Sequence, residues 1–275
     1  MSSDQQKSEF PEHADENRRI WEANAYWWDD RIGDGNDFQI FLIEPATERL
    51  LAVSSGEVIL DIACGAGRFA RRLAELGATV VAFDQSAKFV ERARQRTGDD
   101  VAVEYLVLDA ADEEAILSLG VDRFDKAVCT MALMDMPEIN PLISAVAGVL
   151  KPGGVLVFSV THPCFNSART QRFAEMHEEA TGRLVIRTGV KVSSYLSAFA
   201  TKTEGIAGQP ETQYHYHRPI HLLLRSCFEA GFVLDGIDER GLPKPDTERA
   251  GVRWDEMPEI PPVMVLRMRL DGGNS

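Results

Sequence analysis

Asp61, Gly65 and Gly67 stand close together in Val58-Ile59-Leu60-Asp61-Ile62-Ala63-Cys64-Gly65-Ala66-Gly67-Arg68-Phe69, an apolar run that ends in a carboxylate and passes into a glycine turn. The pattern predicts a buried strand, a tight loop and the start of a helix. With no side chain at 65 or 67, backbone N–H groups and the helix N-terminus can approach a nucleotide cofactor closely. The glycines leave the nucleotide open, because Gly65-x-Gly67-x-x-Ala70 also fits a dinucleotide fingerprint. Asp84 closes a second apolar run, Thr79 to Phe83, and Asp109 closes a third, Val101 to Leu108. Thr130 ends a fourth that begins at Phe124. Ligands of open parallel sheets bind beyond the carboxyl ends of the strands, and all four residues fall there. Helix capping is the alternative role for each acid, but three carboxylates at successive strand ends are hard to explain as packing, since desolvating an acid without a partner is costly.

His162, in Ser159-Val160-Thr161-His162-Pro163-Cys164, follows a fifth apolar run. It is expected to point into the cleft, where imidazole is poised to take a proton near neutral pH. Bonding to neighbouring loop backbone is the other reading. In Tyr214-His215-Tyr216-His217-Arg218-Pro219 the histidines at 215 and 217 share a face if the segment is extended. No Cys or carboxylate pattern nearby completes a zinc site, so contact with a substrate is expected there and metal is not. Tyr26, Trp27 and Trp28 cannot all face one side of a helix, which leaves Tyr26 and Trp27 as candidates to meet a substrate through their rings. Packing of a cap helix is the alternative.

The elements that must position these groups follow from periodicity. Residues 17 to 30 read as a helix with Trp21, Ala25 and Trp28 on one stripe. Gly33-Asp34-Gly35-Asn36 is a turn or mobile loop, and Asp37 is expected to cap a second helix to about Ala52, kinked or restarted at Pro45. From Glu57 to Val160 strands alternate with helices, the pattern of a parallel sheet covered on both faces. The rhythm breaks over 161 to 218, read as loops, irregular strands and a short helix near 168 to 180. His221 to Ala230 is again helical, ended by Gly231, and Phe232 to Ile237 and Val263 to Leu270 are strand candidates.

The chain has 275 residues, 44% of them hydrophobic, as in ordinary globular proteins. Acidic residues outnumber basic ones by 43 to 29, a net charge of −14 that disfavours nucleic acid as partner. No apolar run is long enough to span a membrane, and Met1 to Arg19 carries no apolar leader, so a cytoplasmic location is expected. The first dozen residues are expected to be disordered. Four scattered cysteines, at 64, 129, 164 and 227, read as reduced and mostly buried thiols.

Taken together, Asp61 with its glycine turn, Asp84, Asp109, the Phe124 to Thr130 run and the turn Leu150-Lys151-Pro152-Gly153-Gly154 before the fifth run resemble the class I S-adenosylmethionine-dependent methyltransferases. The resemblance is close over residues 56 to 160 and looser in the C-terminal region. It implies an α/β fold with a doubly wound, mostly parallel seven-stranded sheet, the seventh strand antiparallel. The division it suggests is an N-terminal tail and helical cap (1–55), a cofactor-binding core (56–160), an insertion serving as substrate lid (161–220), and a C-terminal helix and strand hairpin completing the core (221–275).

S-adenosylmethionine is then the cofactor and S-adenosylhomocysteine the product. By resemblance, the turn from Ala63 through Gly65 and Gly67 lies against the methionine part of the cofactor, and Asp61 holds its amino group. Asp84 accepts both ribose hydroxyls, Gln85 flanks the adenine, Asp109 accepts its exocyclic amine and Ala110 donates a backbone N–H. Thr130 and Met131 line the floor near the sulfonium. The position of Asp61 and the lack of a second mononucleotide half stand against a nicotinamide cofactor. Cys164 invites comparison with covalent RNA methylation, yet Met134-Asp135-Met136-Pro137 stands where that chemistry needs Asp-x-Pro-Cys. The expected function is methyl transfer to a small molecule, with His162 as general base. The alternatives are a cofactor-binding protein with a regulatory or interaction role, or methylation of protein or RNA. The sequence does not give the oligomeric state.

Overall fold

The computed structural model of the chain describes residues 9–33, 35–244 and 252–272. Asp34 of the glycine turn and most of the N-terminal stretch expected to be disordered lie outside the described residues. Glu9 and Phe10, within that stretch, are docked. Phe10 is buried and its N–H donates to the Pro137 carbonyl at 2.9 Å, while Glu9 accepts from the Ile139 N–H at 2.7 Å.

The chain opens with helix α1 (Ala14–Ile32). A π-helical stretch, Gln39–Ile43, then runs into α2 (Glu44–Leu51), with Pro45 in its first turn, where a missing N–H costs nothing. The cap of this segment is Asn36 and not Asp37: the Asn36 side chain accepts from the Phe38 and Gln39 N–H groups while the Gln39 side chain accepts from the Asn36 N–H. The alternating core follows as β1 (Val58–Ile62), α3 (Arg68–Glu75), β2 (Thr79–Asp84), α4 (Ala87–Arg96), β3 (Val103–Val107), α5 (Glu113–Leu117), β4 (Phe124–Thr130), α6 (Asn140–Val149) and β5 (Leu150–Thr161). The insertion holds two antiparallel hairpins, β6 (Thr170–Glu178) with β7 (Leu184–Val192) and β8 (Phe199–Thr203) with β9 (Gln213–His217). Helix α7 (Ile220–Glu229), β10 (Phe232–Arg240) and β11 (Val263–Leu270) close the fold.

Seven strands form one sheet in the order β10-β11-β5-β4-β1-β2-β3, parallel except for β11, which is antiparallel to both β5 and β10. Successive side chains of a strand point to opposite faces, which assigns the core. Ile59, Val80 and Ala82 enter the layer packed by α2, α3 and α4, whereas Leu60, Ile62, Val81 and Phe83 enter the layer of α5, α6 and α7. Each of the Val, Leu, Ile and Phe side chains among them, fully buried, contributes on the order of 2 kcal/mol. This two-sided burial fixes the strand register and with it the positions of the residues at the carboxyl ends.

The short helix expected near 168 to 180 is the strand β6. Glu, Ala and Met there favour helix locally, but full-length pairing with β7, from Thr170 opposite Val192 to Glu178 opposite Leu184, overrides that preference.

Candidate functional site

The ends of β1, β2 and β4 and the loop after β3 open into a cavity of about 740 Å³, roofed by α1 and walled by the insertion. The β1 end is built tightly. Ala63 takes a left-handed conformation at φ 52° before the turn, and Met131, after β4, does the same at φ 53°. Both line the cavity. Such strained non-glycine residues persist where the surroundings over-determine them, and they cluster at ligand sites.

The two glycines serve different ends. Gly65 lines the cavity, and a Cβ added there would meet nothing nearer than 4.0 Å, so its bareness leaves room for a ligand. Gly67 sits behind the turn, where a Cβ would fall 2.4 Å from the Tyr105 hydroxyl. Packing on Tyr105 therefore requires Gly67, and it is not part of the cavity wall.

Three carboxylates mark the strand ends with distinct environments. Asp61 is fully buried behind the turn, and neither of its oxygens has a hydrogen-bond partner among the described residues. Burial, and next the charge of Asp84, push its pKa up to about 8, opposed weakly by the Ala70 N–H. Asp84 faces the cavity and uses one oxygen to accept from the Gly65 N–H at 3.0 Å and the other from the Ser86 N–H at 2.9 Å. Burial raises its pKa to about 6 against those two hydrogen bonds. Asp109 accepts from the Ala111 N–H at 2.9 Å and forms an ion pair with Arg18 of α1. Gln85, Ala110 and Thr130 also line the cavity.

His162 is not in the cavity wall. Its ring is buried on the far side of the strand end, with Nδ1 accepting from the Cys164 N–H at 3.1 Å. Nε2 therefore carries the proton and donates to Glu239 at 2.6 Å. The cause is strand alternation: Thr161 faces the cavity, so the next side chain faces away. The expected base is thus a structural histidine.

His217 is buried as well, donating to the Tyr195 carbonyl at 2.7 Å and stacked on Phe199, and burial lowers its pKa. Of the two histidines of β9, His215 reaches the cavity. Tyr26 and Trp27 do not. Tyr26 donates to Glu91 beneath the guanidinium of Arg92, and Trp21 and Trp28, on the stripe of α1, supply the aromatic wall instead. All four cysteines are free, Cys129 and Cys227 buried and the others half-buried.

Sequence reasoning missed Asp135, Thr161, Asn17, Arg172 and Trp254 as lining residues. Asp135 had a usable signal, since it lies just past the β4 end and so obeys the same strand-end rule as Asp61 and Asp84. Arg172 and Trp254 come from segments whose approach only long-range pairing decides.

An open sheet with acids and a glycine turn at its carboxyl edge defines a class of enzymes that bind a nucleoside-containing cofactor. Comparison with known proteins carries the assignment further. The family described as "Methyltransferase domain" matches residues 60–158. The chain is 32% identical over 180 residues to a demethylmenaquinone methyltransferase of Clavibacter sepedonicus, covering 65% of this chain and 69% of that protein. It is 33% identical over 139 residues to a ubiquinone biosynthesis O-methyltransferase of Xanthomonas axonopodis pv. citri, covering 48% of this chain and 55% of that protein. The crystal structure of an S-adenosylmethionine-dependent methyltransferase from Mesorhizobium loti superposes with a TM-score of 0.65 at 27% identity, covering 86% of this chain and 99% of that one. The chain belongs to the class I S-adenosylmethionine-dependent methyltransferases, and S-adenosylmethionine is its cofactor.

Proposed function

We propose that the protein methylates a small molecule held in the cavity beside the cofactor. The observation that carries this reading is the extent of the cavity. From the Gly65 turn and Asp84 it continues past Thr130 and Met131 to a second half formed by Thr161, Asn166, Gln213 and His215, under cover of α1 and the insertion. Its volume of about 740 Å³ lies within the range of sites for small ligands, about 300–1,000 Å³. The names of the two relatives, one for demethylmenaquinone and one for ubiquinone biosynthesis, support an acceptor of low molecular weight.

The residues present fit the cofactor. Asp61, buried behind the turn and outside the cavity wall, is held largely protonated by burial, and the positive amino group of a cofactor bound on the turn would favour its charged form. Asp84 lines the cavity, and each of its oxygens takes one protein hydrogen bond and has a lone pair to spare, as acceptance from two ribose hydroxyls requires. Gln85 and Asp109 with Ala110 would bound the adenine, and Ala63 and Gly65 the methionine part. When bound, S-adenosylmethionine supplies a methyl on a sulfonium, already an excellent leaving group, so the chain must align the acceptor, exclude water and take up a proton where the acceptor carries one. Thr130 and Met131 form the floor between the two halves.

The test is transfer of labelled methyl from S-adenosylmethionine in an extract separated into small molecules, protein and RNA. Label is expected in the small-molecule fraction. Label confined to protein or RNA would overturn the reading.

A further inference from the structure

The geometry points to His215 as the group that takes a proton from an acceptor hydroxyl, through Thr161 and with Asp135 holding the ring; this rests on the small-molecule reading above. His215 and Asp135 both line the second half of the cavity. The His215 Nδ1 lies 3.3 Å from the Asp135 carboxylate, and Nε2 lies 3.1 Å from the Thr161 hydroxyl. With Nδ1–H directed at Asp135, Nε2 is the bare nitrogen and accepts from Thr161. The Thr161 oxygen then has lone pairs for a further hydroxyl in the cavity.

The arrangement is held rigidly. Asp135 sits in the 3₁₀ turn Leu133–Asp135, where the Asn17 amide donates to its backbone carbonyl at 3.0 Å. The buried guanidinium of Arg218 binds the carbonyls of Leu133, Met136 and Pro137 at 2.9–3.2 Å. Burial raises the pKa of Asp135 and the hydrogen bond from His215 lowers it, so the carboxylate depends on the imidazole for its charge. Asn17 also lines the cavity, with its Oδ1 enclosed and without a donor among the described residues. Besides Asp135, the titratable and charged groups around His215 are His217 on its own strand and Glu204 and Arg172 across the cavity. Glu16 and Lys202 meet at Tyr214, on the opposite face of β9.

The step balances. The acceptor oxygen forms its bond to the methyl carbon as the carbon–sulfur bond breaks, and the electron pair of that bond stays on sulfur. The acceptor's proton passes to Thr161 as the Thr161 proton passes to Nε2. The resulting imidazolium, paired with Asp135, releases the proton to solvent.

The test uses the full chain with two probes, catechol, which is protonated at neutral pH, and 4-nitrocatechol, which is largely ionised. The wild type is expected to methylate both. His215→Asn should lower kcat for catechol by roughly 10²-fold, the lower end for general base catalysis, with a loss of less than about tenfold for 4-nitrocatechol. The acid limb of the catechol pH profile should disappear in this variant, and Thr161→Val should behave in the same sense while Thr161→Ser is active. Equal losses with the two probes would make His215 merely structural and overturn the proposal, as would unchanged activity, or failure of the wild type to methylate either probe. Calorimetry with S-adenosylhomocysteine separates this from failure of the broader reading: retained affinity in His215→Asn leaves the cofactor site standing whatever the fate of the base.

Discussion

Asp61 and Asp84 face each other across the first glycine turn, and burying two acids together has a consequence for stability. In the unfolded chain Asp61 ionises near 4, in the ordinary carboxylate range, whereas in the fold its pKa is about 8. Between those values the folded chain keeps a proton that the unfolded chain has released. Stability of the free protein should therefore fall as pH rises from about 4 to about 8, by at most about 1.4 kcal/mol per pH unit for one proton. Asp84, at about 6, adds to the slope in the lower half of that window. Asp61→Asn should flatten the decline between pH 6 and 8 in thermal unfolding, and S-adenosylhomocysteine, if its ammonium group lies by the turn, should flatten it in the wild type. A variant as pH-dependent as the wild type would show that Asp61 is ionised in the fold without help.

Helix α1 roofs the cavity and is fastened in part by polar contacts. Arg18 pairs with Asp109, Glu22 with Ser86 and Lys88, and Asp29 with Arg92 and Arg96. The Arg18–Asp109 pair lies near the surface and is individually weak, so this part of the helix can lift to admit ligand. Amide exchange in α1 and in the hairpins β6–β9 is expected to slow on binding S-adenosylhomocysteine with a methylatable acceptor, by about tenfold or more, the protection that corresponds to about 1.4 kcal/mol. Equal exchange in free and ligated protein would contradict the covering role.

The elements differ in how plainly they were written in the sequence. Strands such as Val58–Ile62 and Thr79–Asp84 are buried on both faces, so each is an unbroken apolar run with an acid near or at its end, legible without partners. The β6–β7 hairpin has Met176, Leu184 and Ile186 exposed among charged residues and leaves no period to read. For His162 the information was present in part. Strand alternation decides its direction once Thr161 is known to face the cavity, and that depends on the length of β5, which pairs with β11 as far as Thr161 opposite Val263. Asp37 and Asn36 are both good cap residues, and the reciprocal bonds of Asn36 with Gln39 decide between them.

The whole chain carries a net charge of −14, and three of its acids, Asp61, Asp84 and Asp109, lie at or just beyond the ends of successive strands. No helix among the described residues is long and apolar enough to cross a membrane. The sheet order, the antiparallel β11 and the match over residues 60–158 agree with membership of the family, while the insertion hairpins and α1 lie outside the matched residues. Family membership thus settles the cofactor, and the proposed place of the acceptor is the cavity between Thr161, Asp135 and His215. The measurement that tests the account most directly is calorimetric titration of S-adenosylhomocysteine into the wild type and Asp84→Ala, with thermal unfolding as a control for folding. Removing both acceptor oxygens should weaken binding by about 2 kcal/mol or more, roughly 30-fold, on the scale of hydrogen bonds to charged groups. Equal affinity in the two proteins would show that the cofactor does not sit at the end of β2, and would contradict the assignment of the site.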